Sequence, residues 1–187
     1  MNNRYSFVGG IQGAWRVTEV RPVIGLGLDT VERLDIVNNA LTEIPTDSAW
    51  VLQSFVSNVR YANRDEITML RALQPGLNRS EAVVAVLIPI KKNAQWWELA
   101  QDERRAIFEE QSHHTAVGME YLPEVARQLH HCRDLGEPFD FLTWFEFAPE
   151  HTQAFADLLR RMRASKEWDY VEREVEVWLY RAPEEGL

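Results

Sequence analysis

The sequence predicts an α+β protein made of two related halves in tandem. Three observations carry that reading. Segments alternating with period two, such as A-W-R-V-T-E-V at 14–20 and Y-V-E-R-E-V-E-V-W-L-Y-R at 170–181, recur along the chain and read as strands. Segments with apolar residues three and four apart lie between them and read as helices. The second half follows a helix–strand–strand–helix–strand order that matches the element count of the first, without a sequence repeat. A length of 187 residues suits one large domain or two small fused ones. The division is placed at residues 1–93 and 94–187.

Taken in order, residues 4–8 and 14–20 are rich in Val, Trp and Tyr and are separated by Gly9, Gly10 and Gly13, which predicts a hairpin or a bulged pair. Val31, Leu34, Val37, Leu41 and Ile44 stand at helical spacing, so a helix is expected over 29–44, capped by Asp29 or Thr30 and stopped by Pro45. Residues 49–60 have strand composition. Ile67, Leu70 and Leu73 predict a helix over 63–73, ended by Q-P-G at 74–76. The run A-V-V-A-V-L-I-P-I at 82–90 reads as a central buried strand. The first half is thus read as β-α-β-α-β behind a hairpin.

The second half opens with a helix expected over 94–114, with Trp96, Ala100, Ile107, Gln111 and His114 along one face. Residues 123–133 fit either helix or strand. The strand is preferred, because R-D-L-G-E-P looks like a hairpin loop into F-D-F-L-T-W-F-E-F at 139–147. Arg127 and Leu129 then share a face, as do Phe141, Thr143 and Phe145. Pro149 opens a helix over 150–163 with Phe155, Leu158, Leu159 and Met162 facing in. Residues 170–181 close the sheet.

Net charge is -9 and the pI about 5.1, which argues against nucleic acid as a partner. No apolar run approaches the roughly 18 residues of a membrane span. The single cysteine, Cys132, excludes an intramolecular disulfide and fits a reducing compartment. With no signal-peptide pattern at the N-terminus, a cytoplasmic protein is expected. No phosphate loop, nucleophile elbow or H-E-x-x-H motif occurs.

Pattern alone says little about a site. His113–His114 and His130–His131 lack the cysteines or carboxylates of a zinc site. Glu167 reads as a surface carboxylate, Lys91 and Lys92 as solvated charges, and Trp96 and Trp97 as core. Arg127, among apolar neighbours on a strand, calls for an anionic partner, because a buried unpaired charge is costly. One inward histidine under an aromatic-rich cavity is a different case. Haem needs only one proximal imidazole, whose other ring nitrogen needs an acceptor.

Four segments together carry a resemblance: W-W-E-L-A-Q-D-E-R-R-A-I-F-E-E-Q-S-H-H at 96–114, Y-L-P-E-V-A-R-Q-L-H-H-C-R-D-L-G at 121–136, F-D-F-L-T-W-F-E at 139–146 and S-K-E-W-D-Y-V at 165–171. They resemble the chlorite dismutase family in its short-chain form. The resemblance implies two ferredoxin-like halves in a dimeric α+β barrel type fold, haem b in the C-terminal half and a homodimer. It implies decomposition of chlorite to chloride and dioxygen through an iron–oxo and hypochlorite pair. By resemblance, His114 is the proximal iron ligand and Glu167 accepts its imidazole N–H. Arg127 is the distal arginine, whose forked, permanently charged guanidinium suits a small oxyanion. Leu129, Thr143 and Phe145 line the distal pocket. Trp96 and Trp97 pack near the haem and the subunit contact, and Lys92 and Asn58 lie near the propionates. Gln74 is expected as a partner supporting Arg127. The alternatives are a coproheme decarboxylase of the same superfamily and a non-catalytic haem-binding module. Many such decarboxylases carry a reactive tyrosine where this chain has Ile88, which disfavours the first.

Overall fold

A computed structural model of the chain describes residues 3–57 and 62–181. The strands are β1 (Arg4–Gly10), β2 (Trp15–Ile24), β3 (Arg33–Val37), β4 (Ser48–Val56), β5 (Val84–Lys92), β6 (Ala126–His131), β7 (Phe141–Phe147) and β8 (Val171–Arg181). They form a closed barrel in the order β1-β3-β2-β8-β5-β7-β6-β4, with antiparallel pairing throughout. Closure leaves no exposed sheet edge. Round the barrel, the first four strands stand in the order fourth, first, third, second, and so do the last four. Helices join β5 to β6 and β7 to β8, whereas the links inside the first four strands carry none. No helix among the described residues is long and apolar enough to cross a membrane.

The α+β class is borne out, but the first half departs from its sequence reading. Residues 1–93 hold five strands and one helix, α1 (Arg64–Leu73), which lies between β4 and β5, rather than β-α-β-α-β behind a hairpin. Residues 4–10 and 15–24 do not form a hairpin: β1 lies between β3 and β4, and β2 reaches across to β8. The short link between them passes through Gly13 at φ +140°, which L side chains rarely adopt. The helix expected over 29–44 is instead the strand β3 with irregular flanks. Asp29 caps nothing there; its carbonyl accepts from Trp50 Nε1 (3.0 Å). The three-and-four spacing was coincidental, since Leu34 is fully buried while Ile44 is 70% exposed. β1 and β2 offer R-L-D-I-V a ladder on both sides, and β-branched residues take it.

The second half keeps the expected strands. Phe7, Trp15, Leu34, Leu52, Leu87, Trp144, Val177 and Leu179 fill the barrel interior. Val84, Val86, Ile88 and Ile90 alternate with Ala85 and Leu87 and face outward. There they meet Phe155, Leu158, Leu159 and Met162 of α5 (Thr152–Arg163). Both faces of β5 are therefore covered, which explains its unbroken apolar run. Burying each of those helix side chains contributes roughly 1.5–3 kcal/mol.

The single helix expected over 94–114 is broken into pieces: α2 (Ala94–Glu98), α3 (Gln101–Arg105), a π-helical turn over Ala106–Gln111, and α4 (His114–Met119). Asn93 caps α2, and Glu103 turns back to the Ala100 N–H (2.7 Å), fixing a second start. Ser112 N–H reaches back five residues to Ile107 O (3.1 Å). His113 then takes a left-handed conformation, φ +52°. His114 therefore opens α4 rather than ending a long helix.

Candidate active site

β5, α4 and the 3-10 turn Lys166–Tyr170 deliver three charged or titratable groups to one place. His114 Nδ1 lies 2.6 Å from Glu167 Oε2. Lys92 Nζ donates to Glu167 Oε1 at 2.8 Å. The side chains of Lys92 and Glu167 are only 3% and 7% exposed, so this is a buried chain of charge. Burial would raise the Glu167 carboxyl, but the His114 imidazole and the Lys92 ammonium outweigh it and hold the group down to about 2. The Glu167 main chain is fixed as well, its N–H donating to Ser112 Oγ (2.9 Å). Nδ1 is committed to the carboxylate, and His114 Nε2, the other ring nitrogen, has no hydrogen-bond partner among the described residues.

The backbone carrying His114 is held from beneath. Glu109, buried on the π-helical turn, accepts from the N–H groups of Thr115 (2.7 Å) and Ala116 (3.3 Å). It caps α4, since the residue before the helix, His113, offers no side-chain cap. Phe108 stacks on the imidazole, centroids 4.2 Å apart.

Three cavities of about 110, 90 and 230 Å³ each border His114 and Leu129. The first is lined by Ile88, Arg127, Thr143 and Phe145, with Leu158, Leu159, Met162 and Trp168. The second is closed by Lys92, Trp96, Phe108, Glu167 and Trp168. The third reaches Gln74 and the seam between β4 and β6. The strand register explains the grouping: Arg127 pairs with Phe145 and Leu129 with Thr143. These four side chains therefore share one face of neighbouring strands. Arg127 has no carboxylate partner among the described residues. Nη1 donates to the Gly118 carbonyl (2.9 Å), and desolvation lowers the guanidinium to about 10, so it remains cationic at neutral pH.

The structure brings together nearly all the residues singled out in the sequence. Trp97 lines none of these cavities; its ring packs on Phe141 and lies under Arg133, with Nε1 donating to Asp140 Oδ2 (3.3 Å). Asn58 lies outside the described residues. Gln74 meets Arg127 at its main-chain carbonyl (2.7 Å) rather than at its guanidinium. Lys92 is neither a solvated charge nor free for another anion, because Glu167 holds its ammonium. The lining residues sequence reasoning missed are chiefly Trp168, beside Glu167 in sequence, and Phe108, which gave no signal. Leu158, Leu159 and Met162 face inward as their spacing predicts, and they line the first cavity as well as the core.

A larger cavity, about 550 Å³, lies apart from this cluster, among Trp15, His130, Glu146 and Arg181. Several of its polar groups are held by neighbours, whereas Arg181 Nε and Nη2 are buried without a hydrogen-bond partner among the described residues, Nη2 lying 3.6 Å from Glu146 Oε2. Glu146 accepts from Trp144 Nε1 (2.8 Å) and Asn78 N–H (2.6 Å), and His130 is bonded to Ser54 (3.1 Å).

Comparison with known proteins points to one family. The chlorite dismutase family profile matches residues 28–181. The dimeric chlorite dismutase of Nitrobacter winogradskyi is 53% identical, with a TM-score of 0.89, over 95% of this chain and 99% of that one. The chlorite dismutase of Ideonella dechloratans is 30% identical over 122 residues, 65% of this chain but only 36% of that protein. A chlorite dismutase from Candidatus Nitrospira defluvii, in complex with imidazole, shares the fold, with a TM-score of 0.66 at 22% identity over 97% and 92% of the two chains. With the family profile matching from β3 to the end of β8, the chain belongs to the chlorite dismutase family.

Proposed function

We propose that this chain is a haem b enzyme that converts chlorite to chloride and dioxygen. The observation that carries the reading is the buried Lys92–Glu167–His114 chain facing cavities shared with Arg127, a cation with no carboxylate partner among the described residues. The residues fit haem. A single imidazole with its lone pair on Nε2 suits a metal that brings its other ligands with it. The lining is apolar and aromatic, and the imidazole N–H already has its acceptor. His114 would hold the iron, and Ile88, Leu129, Thr143, Phe145, Trp96 and Trp168 would border the ring. Bound haem would supply the coordination and redox chemistry.

The chain's own residues supply the rest. Arg127 attracts the oxyanion and orients it through forked N–H donors. Leu129, Thr143 and Phe145 exclude water, which strengthens that field and keeps reacting fragments from escaping. Glu167 fixes the tautomer of His114 and raises its basicity, and Lys92 keeps Glu167 ionised. The overall change, ClO2− to Cl− and O2, balances without any further reactant. Ile88 occupies a wall of the same cavity, so an aliphatic side chain stands where a decarboxylase would need its tyrosine.

Three further readings accompany this. The repeated strand order supports two ferredoxin-like halves, with β5 as the first strand of the second, which moves their division from 93/94 to the connection between α1 and β5. A homodimer is proposed by analogy with the dimeric Nitrobacter relative, and a cytoplasmic location rests on the lone, buried Cys132.

The test is oxygen release from chlorite by the haem-loaded protein, followed with an electrode beside His114→Ala and Arg127→Ala. Rapid release is expected from the parent, none without the histidine, and impaired or rapidly bleached turnover without the arginine. A haem-loaded parent that releases no oxygen refutes the proposal. Full activity in Arg127→Ala refutes the role of the arginine.

A further inference from the structure

We propose that Gly118 is a positioning residue that sets where the Arg127 guanidinium stands. The inference rests on the haem-enzyme reading for its functional consequence, but its geometry does not depend on it. Gly118 is buried near the end of α4, the same short helix that His114 opens. Its carbonyl accepts from Arg127 Nη1 at 2.9 Å. A Cβ added at Gly118 would fall 2.8 Å from Nη1, 3.0 Å from Nη2 and 3.1 Å from Cζ. The guanidinium thus lies against the bare Cα of this glycine.

Backbone conformation does not require a glycine there. Gly118 is helical and absent from the positive-φ residues, and alanine favours a helix over glycine. What the glycine provides is room. Its carbonyl takes one guanidinium N–H, and the missing side chain lets the plane settle close. An added methyl forces the guanidinium back towards the roughly 3.5–4 Å of ordinary heavy-atom contact. The far end of a flexible side chain can make that move without unfolding α4. Gly118→Ala is therefore a way to displace Arg127 while leaving its charge in the protein. Because α4 carries His114 at its first turn and Gly118 at its last, one six-residue element sets both groups proposed for the reaction.

The experiment is a double-mutant cycle of parent, Gly118→Ala, Arg127→Ala and the double variant, with two readouts. The first is fluoride binding to the ferric haem-loaded proteins, followed by absorbance. Gly118→Ala should weaken binding roughly tenfold or more, the size of a lost hydrogen bond to a charged group, and the double variant should match Arg127→Ala. The second is the melting temperature of the haem-free proteins. Gly118→Ala should lower it when Arg127 is present and raise or leave it unchanged when Arg127 is alanine, because the clash is then gone. Parent-like fluoride binding in Gly118→Ala overturns the inference, as does a Gly118→Ala effect of equal size in both backgrounds. If Gly118→Ala does not fold, the double variant must, and its failure to fold also overturns the inference. Arg127→Ala binding fluoride like the parent would instead sink the role given to the arginine, and the melting cycle would still decide the geometry.

Discussion

Replacing Lys92 with methionine keeps most of the side-chain volume and removes one charge from the buried chain. An exposed ion pair contributes about 0–1 kcal/mol, but that figure does not apply here. Lys92 and Glu167 are 3% and 7% exposed and 2.8 Å apart, so removing the ammonium leaves a carboxylate out of water with one partner fewer. Breaking a buried pair from one side costs about 3–5 kcal/mol. Glu167 keeps His114 at 2.6 Å, which places the expected loss near the lower end, about 3 kcal/mol. For a chain of this size that corresponds to a melting temperature roughly 6–12 °C lower. The assay is urea unfolding of the haem-free protein, with m-values compared so that a change in the unfolded state is not mistaken for lost stability. In a Glu167→Gln background no anion is stranded, so Lys92→Met should cost much less, with a coupling of about 1.5–3 kcal/mol. A loss below about 1 kcal/mol, or an equal loss in both backgrounds, would refute the view that Lys92 acts through Glu167.

Two other outcomes follow from groups outside that chain. His130 is buried, and burial, with a smaller contribution from His131, lowers its imidazole from 6.5 to about 4. The unfolded chain therefore binds a proton that the folded one refuses between those values, and stability should fall as pH drops from about 6.5 to 4, by about 3 kcal/mol at most. Unfolding free energy measured across that window should slope less in His130→Gln, and parallel slopes would rule the account out. Glu109→Ala removes the cap from α4 and should destabilise the protein by about 1–2 kcal/mol in urea unfolding. Glu109→Gln, which keeps an acceptor, should lose less, and an unaltered midpoint in Glu109→Ala would mean that the two N–H bonds contribute nothing.

Much of the fold could be read from local pattern where local pattern decides. β5, β7, β8 and α5 carry strong period-two or three-and-four signals because each packs a continuous apolar face. α1 carries its own start signal, with Asn63 and Glu66 capping each other. The failures are of another kind. Residues 31–44 satisfy a helical spacing, yet Arg33–Val37 gains a ladder to both β1 and β2, and distant strands decide that. Pairing β1 with β2 assumed that neighbours in sequence are neighbours in space, but their partners are β3, β4 and β8. The site was legible mainly through resemblance. Taken alone, Glu167 read as a surface acid and Lys92 as a solvated base. Nothing local reveals that they bury each other, because they stand 75 residues apart.

The broken segment after β5 shows how the site dictates the fold around it. A straight helix from 94 to 114 would carry His114 about 30 Å from its first residue. Yet Lys92, just before that segment, and His114, at its far end, bind the two oxygens of one carboxylate. Two side chains reaching toward each other cannot span such a gap, so the chain between them must fold back. The extended break after α2, the π-helical turn and the left-handed His113 perform that return. Each has a local cost. A non-glycine residue in the left-handed region is disfavoured by roughly 1–2 kcal/mol, and a π-helical turn is rarely adopted without a functional reason. What offsets them is contact made only in the folded-back form: Glu103 on Ala100, Glu109 on the start of α4, and Glu167 on both ends of the segment. The amphipathic spacing of Trp96, Ala100, Ile107, Gln111 and His114 describes a helix that the geometry of a single buried carboxylate forbids.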